Sequence, residues 1–275
     1  SMTKNRFIGV LSGIIITSII QSSSATTVLI VSFVNAGLLT LGESISVIMG
    51  ANIGTTITAW LVSLIGFKFS IAEIAIPLIG LSLPFIFSKN DKRKTIGHLI
   101  IGFSLLFLGL EYLKTGVPDI KSHPEILNFL QNYTNMGFLS ILLFLLVGTI
   151  LTIIVQSSSA TMAITLVMIS QGWITFEIGA AMVLGENIGT TITANIAAIT
   201  ANINSRRAAL SHTLFNVFGV IWVLIIFYPF TKMVGYIVNF DATTHENALY
   251  ALSMFHTLFN LCNTLIMIFL IKPLE

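Results

Sequence analysis

The sequence predicts an all-α membrane protein made of two inverted-topology repeats, each a re-entrant helical hairpin followed by three transmembrane spans, one of them a broken helix. Its composition, two repeated motifs and the lengths of its apolar runs support this prediction. The 275 residues are 55% hydrophobic and 9% charged, with a mean hydropathy of +0.95. Soluble domains carry about 25% charged residues, so lipid must solvate most of this surface. This composition excludes a cytosolic enzyme, a nucleic-acid-binding protein and a disordered tail.

Two motifs each occur twice at the same spacing. QSSSAT begins at Gln21 and again at Gln156, and NIGTTITA begins at Asn52 and again at Asn187, so both strings recur 135 positions later. Two long identical strings at one common offset indicate an internal duplication. The sequence therefore predicts a first repeat over residues 3–136 and a second over residues 137–275.

Each repeat opens with two short apolar runs that are joined by a polar QSSS segment. A helix needs about 20 residues to cross the roughly 30 Å hydrocarbon core of a bilayer. The run over residues 7–20 is shorter than this, and a second short run follows the serines. The pattern favours re-entrant hairpins over residues 7–35 and, in the second repeat, over residues 138–171, where the first arm is longer.

The next segment of each repeat is long enough to span but contains glycines and polar residues at mid-length. The segment 44–66 contains GANIGTT, and the segment 179–201 contains GENIGTT. Unwound backbone at membrane depth is tolerated only where it is buried in protein or lines a cavity. The pattern therefore predicts two broken helices. The remaining predicted spans are residues 71–87, 96–113, 208–230 and 248–271.

Three crossings separate the two hairpins, so the repeats should have opposite orientations in the membrane. Nine basic residues then fall on the side of the chain termini and four on the other side. By the positive-inside rule, both termini are expected in the cytoplasm and loops 114–135 and 231–247 outside. The protein is expected to be a multi-pass protein of the cell (inner) membrane. The two sets of basic residues are Lys4, Arg6, Lys89, Lys92, Arg93, Lys94, Arg206, Arg207 and Lys272 on the first side, and Lys68, Lys114, Lys121 and Lys232 on the second.

The polar groups predict the chemistry of a ligand site. Inverted repeats with interrupted helices and polar clusters at mid-membrane are typical of secondary transporters. Each serine run precedes a half-helix, whose N-terminal N–H groups and dipole suit an anion, while hydroxyl and carbonyl oxygens suit alkali cations. Packing through small residues is the alternative explanation for the serines. The single cysteine, Cys262, excludes the usual zinc patterns.

The duplicated QSSSAT and GxNIGTT motifs resemble those of the type II sodium-dependent phosphate cotransporter family. The resemblance implies sodium-coupled uptake of inorganic phosphate by alternating access, with the site between the two hairpin tips and the two broken helices. It implies phosphate-binding residues Gln21, Ser22, Ser23, Ser24, Gln156, Ser157, Ser158, Ser159, Asn52 and Asn187. It implies sodium-binding residues Ser24, Thr26, Thr55, Thr56, Ser159, Thr161, Thr190 and Thr191.

Glu186 is also predicted to bind sodium, because the two repeats differ at this position: the equivalent residue of the first repeat is Ala51. A carboxylate would repel phosphate but attract sodium. The alternative is a glutamate that ties its helix to a neighbour. The duplicated string HTLFN, beginning at His212 and His256, is expected to make interhelical hydrogen bonds, with proton coupling or gating as the alternative.

The alternatives to a phosphate transporter are the same architecture carrying another small oxyanion, such as sulfate or arsenate, and a passive anion or ion channel. An intramembrane serine hydrolase is disfavoured, because the two serine runs are equivalent and no activating base accompanies either; no enzyme activity is expected. The expected partners are phosphate, sodium and the lipid bilayer, without nucleic acid and without a cofactor beyond the transported sodium. A homodimer remains open.

Overall fold

The computed structural model describes residues 5–66, 71–116, 132–241 and 247–275, and these residues form helices and connecting turns without a β-strand. This confirms the all-helical prediction. The helices are α1 (Arg6–Ile20), α2 (Ser23–Asn35), α3 (Leu41–Leu61), α4 (Ile71–Ile86), α5 (Asp91–Gly116), α6 (Phe138–Val155), α7 (Ser158–Ser170), α8 (Phe176–Gly189), α9 (Thr191–Ala198), α10 (Ile203–Ile225), α11 (Phe227–Val238), α12 (Ala248–Met267) and α13 (Ile271–Leu274). A π-helical turn, Val62–Gly66, continues α3, and a 3-10 turn, Ile268–Leu270, joins α12 to α13.

Five helical segments in the described residues are long and apolar enough to cross a membrane, which supports a multi-pass membrane protein. One of them, Phe138–Val155, was expected as a hairpin arm. Two predicted spans are not among them, because α4 has only 16 residues and the segment 179–201 is divided between α8 and α9. The five segments are Leu41–Gly66, Asp91–Gly116, Phe138–Val155, Ile203–Ile225 and Ala248–Leu274.

The prediction of a broken helix over residues 44–66 is wrong, because α3 continues through the whole GANIGTT segment. In the second repeat the interruption is a single residue. Thr190 lies between α8 and α9 with helical dihedral angles, φ −58° and ψ −27°, and its N–H donates to the Glu186 carbonyl at 3.0 Å. The backbone is therefore not unwound in either NIGTT segment.

The glycines of these segments serve close helix packing. A Cβ atom on Gly50 of α3 would overlap a carbonyl oxygen of α1, and one on Gly13 of α1 would overlap a carbonyl oxygen of α3. Gly148 of α6 and Gly185 of α8 repeat this arrangement 135 positions later. Small residues let membrane helices approach until their backbones touch. This contact, and not a helix break, explains the glycines that flank the polar cluster.

The chain forms two compact units that do not coincide with the two sequence repeats. One contains residues 1–60 and 129–275, and the other contains residues 61–128. In the smaller unit, α4 and α5 pack along each other as a helical hairpin, and Lys114 of α5 donates through Nζ to the carbonyl oxygen of Gly66, the last residue of the π-helical turn. The first repeat is therefore divided, with α1 and α2 in the larger unit and α4 and α5 in the smaller one.

In the larger unit, α2 and α10 are joined by a bond from Ser205 Oγ to the Val31 carbonyl at 3.1 Å. The amide of Asn263 on α12 donates to the Phe215 carbonyl of α10 at 2.8 Å. The expected loop over 231–247 is wrong for residues 231–238, because α11 extends to Val238. Most of the expected loop over 114–135 lies outside the described residues.

Candidate functional site

The two QSSS segments form the same turn between two helices. Gln21 ends α1 in the left-handed conformation, with φ 57° and ψ 25°, and Gln156 ends α6 with φ 55° and ψ 24°. Only glycine adopts this conformation without steric cost, so a glutamine here is held by its surroundings. The next residues, Ser22 and Ser157, are extended N-caps whose hydroxyl oxygens each accept a backbone N–H three residues later at 3.2 Å. The repeat in sequence is therefore also a repeat in local structure.

The second serine of each run is buried at the start of a helix. Ser23 of α2 is 5% exposed and Ser158 of α7 is 9% exposed. The first N–H groups of a helix have no acceptor inside that helix, and the cap serine occupies one of them. The remaining donors and the positive end of the helix dipole make each tip suitable for a small anion.

One residue of α3 contacts both tips. Thr58 Oγ1 donates to Gln21 Oε1 of the first tip at 2.8 Å, and Ser159 Oγ of the second tip donates to Thr58 Oγ1 at 3.5 Å, the outer limit for a hydrogen bond. Thr58 is 6% exposed. The structure therefore brings Gln21 and Ser159, two of the predicted site residues, to the same place.

Thr58 is a residue that the motif-based prediction missed, although it is the second-last letter of the repeated string NIGTTITA. Its equivalent, Thr193, does not contact a tip but donates to the Thr190 carbonyl of its own segment at 3.0 Å. The glutamines differ in the same way: Gln21 is half-buried and bonded, while Gln156 is exposed. The two QSSS turns therefore have the same backbone conformation, but the side-chain contacts around them differ.

The predicted threonines and asparagines donate their side-chain hydrogens to carbonyl groups of their own helical segments. Because a hydroxyl or amide that donates in this way keeps its oxygen lone pairs, these residues offer acceptor oxygens of the kind that alkali cations prefer. No hydrogen bond among the described residues joins this set to the tip serines of the opposite repeat. The donor and acceptor pairs are Thr26 to Ser22, Thr161 to Ser157, Asn52 to Ile48, Asn187 to Val183, Thr55 to Ala51, Thr56 to Ile53, Thr190 to Glu186 and Thr191 to Ile188.

Glu186 lies in a buried polar pair with Thr165. The residue is 2% exposed, and Thr165 Oγ1 of α7 lies 2.7 Å from Glu186 Oε1 of α8. The equivalent positions of the first repeat are Ile30 and Ala51, both apolar and buried. The pair joins α7 to α8, which is the structural alternative that the sequence left open. Thr165 was not predicted, because an isolated threonine in an apolar helix carries no motif.

The expected interhelical hydrogen bonds of the two histidines are absent from the described residues. Both ring nitrogens of His212 and Nδ1 of His256 are buried without a partner. The asparagine of each HTLFN string donates instead to the carbonyl of its own histidine, at 3.0 Å in both cases. The side-chain bond between α10 and α12 is made by Asn263 and not by a histidine.

A family model described as Na+/Pi-cotransporter matches residues 1–115 and 122–260. The "Uncharacterized protein YqeW" of Bacillus subtilis is 32% identical over 257 residues, which cover 92% of this chain and 77% of that protein. The "Putative inorganic phosphate export protein YjbB" of Escherichia coli K12 is 28% identical over 263 residues, 95% of this chain and 46% of its own length.

The human "Sodium-dependent phosphate transport protein 2B" is 45% identical over 64 residues, which cover 23% of this chain and 9% of that protein. No solved structure matches. The chain thus spans three quarters of one relative and less than half of another. The family match covers most of the chain and includes both QSSS turns and both NIGTT segments, so the chain belongs to the Na+/Pi-cotransporter family.

Proposed function

We propose that this protein is a secondary active transporter that takes up inorganic phosphate together with sodium by alternating access. The observation that carries the proposal is the contact of Thr58 with both tips, through Gln21 and Ser159. Gln21 directly precedes the N-cap of α2, and Ser159 lies in the first turn of α7. In this proposal both helix N-termini therefore contribute to a single anion site built from both repeats. Family membership supports phosphate as the anion and a transporter as the class of protein.

Phosphate is held in this proposal by the two QSSS turns, with Asn52 and Asn187 from the NIGTT segments. Neither QSSS turn nor NIGTT segment contains a lysine or an arginine. Moving an anion with one or two charges out of water without a counter-charge is costly. Sodium at the threonine oxygens of the same segments supplies that charge, so phosphate and sodium stabilise each other at the site.

Glu186 contributes to sodium binding in this proposal. It is the only acidic residue within either QSSS or GxNIGTT motif, and intramembrane carboxylates usually mark an ion path or a partner. Its contact with Thr165 places the carboxylate next to α7, whose first residues belong to the second tip. Thr165 is seven positions after Ser158, which is about 10 Å along the helix. A carboxylate beside Thr165 adds an oxygen ligand for the cation without lying among the serines that hold phosphate.

The helix pairs α1–α2 and α6–α7 act as re-entrant hairpins, and the two repeats have opposite orientations in the membrane. The matching dihedral angles at Gln21 and Gln156 support equivalent roles for the two hairpins. Inverted repeats are related by a pseudo-two-fold axis in the membrane plane, and this symmetry would bring both tips to the bilayer midplane. The termini then lie in the cytoplasm, in agreement with the charge distribution of the loops.

The test is transport of radiolabelled phosphate by the full chain in proteoliposomes under an imposed sodium gradient. We expect uptake that requires sodium, is not fully supported by lithium or choline, and is not displaced by equal concentrations of sulfate. Uptake that is equal with and without sodium, in the absence of a proton gradient, would contradict coupling and favour a passive channel.

The direction of transport needs its own measurement, because the Escherichia coli relative bears the name of an export protein. Vesicles loaded with phosphate, with the sodium gradient directed inward or outward, separate the two directions. For a symporter, efflux requires sodium on the same side as phosphate. Efflux driven by sodium on the opposite side would show that the protein couples sodium to the export of phosphate and not to its uptake.

A further inference from the structure

We propose that the turn between α4 and α5 is a binding site for the headgroups of anionic phospholipids. Four basic residues lie within six positions of one another in this turn, and all are exposed: Lys89, Lys92, Arg93 and Lys94. The only acidic residue among them is Asp91, which gives the turn a net charge of +3. The turn contains no residue of the QSSS or NIGTT motifs, and the proposal does not rest on the transport function.

These basic side chains have no acidic partner within the part of the chain that the structure describes. The one ion pair there joins Lys114 to Glu111 at the other end of α5. Lys114 is satisfied internally, since it also donates to the Gly66 carbonyl. The two ends of the same helix therefore differ: one has its basic residue paired within the protein, and the other presents its basic residues outward.

The start of α5 adds to the positive potential of the turn. Asn90 caps the helix, and its Oδ1 accepts the N–H groups of Lys92 at 3.0 Å and Arg93 at 3.3 Å. This cap fixes the first turn, so the basic side chains project from an ordered helix end. The dipole of this 26-residue helix also favours negative charge at its N-terminus.

The length of α5 places the turn at the level of lipid headgroups. Lys94 and Lys114 are 20 positions apart, which corresponds to about 30 Å along a helix, the thickness of the hydrocarbon core. Large apolar side chains next to the turn are exposed, with Phe87 at 80% and Leu99 at 72%. An exposed apolar surface directly below a basic turn matches the acyl chains and the phosphate group of one lipid.

An anionic phospholipid is the occupant that fits both features. Free phosphate would satisfy the charge but would leave the apolar side chains uncovered, and a zwitterionic lipid would cover the apolar side chains without matching the net charge. Each basic residue next to an anionic membrane surface contributes about a fivefold gain in affinity. Three such factors multiply, so loss of three of these charges is expected to weaken binding of an anionic lipid by about a hundredfold.

The test uses the purified full chain in neutral detergent, titrated with dioctanoyl phosphatidylglycerol and, separately, dioctanoyl phosphatidylcholine, with binding followed by thermophoresis. We expect tighter binding of phosphatidylglycerol to the natural chain and loss of this preference in K92Q/R93Q/K94Q. The matched control K92R/R93K/K94R keeps all three charges and should keep the preference. Gel filtration of each variant confirms that the fold is intact, as expected for exposed side chains.

Two outcomes would overturn the proposal. One is an unchanged preference for phosphatidylglycerol in K92Q/R93Q/K94Q, which would place the lipid elsewhere. The other is displacement of phosphatidylglycerol by inorganic phosphate but not by sulfate at equal ionic strength, which would identify the turn as a site for free phosphate.

Discussion

Replacing Thr58 by valine tests whether the contact between the two tips supports transport. Valine has nearly the same shape as threonine but lacks the hydroxyl, so the packing of α3 is retained. The change removes the 2.8 Å bond to Gln21 Oε1 and the 3.5 Å contact from Ser159 Oγ. It leaves both tips with their own backbone conformation, because the N-cap bonds of Ser22 and Ser157 do not involve Thr58.

The size of the effect follows from the geometry of these two contacts. A buried hydrogen bond contributes about 0.5–1.5 kcal/mol, and side-chain bonds between membrane helices average about 0.6 kcal/mol. The bond to Gln21 is short and should contribute about 1 kcal/mol, whereas the 3.5 Å contact is at the limit of hydrogen bonding and contributes little. Since 1.4 kcal/mol is a factor of ten, we expect phosphate uptake to fall by about fivefold.

Initial rates of sodium-dependent phosphate uptake in proteoliposomes measure this change. Thr193→Val is the matched control, because the Thr193 hydroxyl is bonded within its own segment and contacts neither tip; it should lower uptake by less than about twofold. Thr58→Ser restores the hydroxyl and should recover most of the rate. Equal losses in Thr58→Val and Thr193→Val, or no recovery with serine, would refute the role of Thr58.

Three further predictions concern the packing and the ligands. Gly50→Ala should lower the unfolding free energy in detergent by about 2 kcal/mol or more, because the added methyl group overlaps the backbone of α1; Gly80→Ala, which faces open space, should leave the thermal midpoint unchanged or higher. Ser23→Ala and Ser158→Ala should each reduce phosphate uptake severely if both tips form one site, and near-normal uptake in either variant would indicate two independent sites. Glu186→Gln should raise the sodium concentration for half-maximal uptake with little change in phosphate affinity at saturating sodium, and a change in phosphate affinity alone would exclude the sodium assignment.

The local structure of the two tips could be predicted because short-range interactions determine it. A serine that follows a polar residue and precedes an apolar run is a favourable N-cap, and QSSS provides this signal twice. The duplication could be recognised because two strings recur at the same spacing of 135 positions. These features depend on residues that are neighbours in the chain, so they are visible without a fold.

The meaning of the glycines depended on the tertiary structure. A glycine in an apolar segment is compatible both with an unwound helix and with a close approach of two helices, and the residues next to it do not distinguish the two. Gly50 lies against α1 and Gly185 against α6. In each case the backbone that contacts the glycine is about 40 residues away in sequence, so the local sequence could not show the contact. For this reason the break predicted in the first repeat was wrong, and the break predicted in the second repeat is only the single residue Thr190, which has helical dihedral angles.

The sequence by itself determined the helical class, the duplication, the two serine turns and the relationship to a family of transporters, because each of these is encoded by composition or by a contiguous motif. Only the tertiary structure showed that Thr58 contacts both tips and that Thr165 lies beside Glu186. A threonine in an apolar helix looks the same in sequence whether it bonds its own helix, as Thr193 does, or reaches a distant tip. The direction of its side chain is set by how the helices pack, and helix packing is a property of the whole fold.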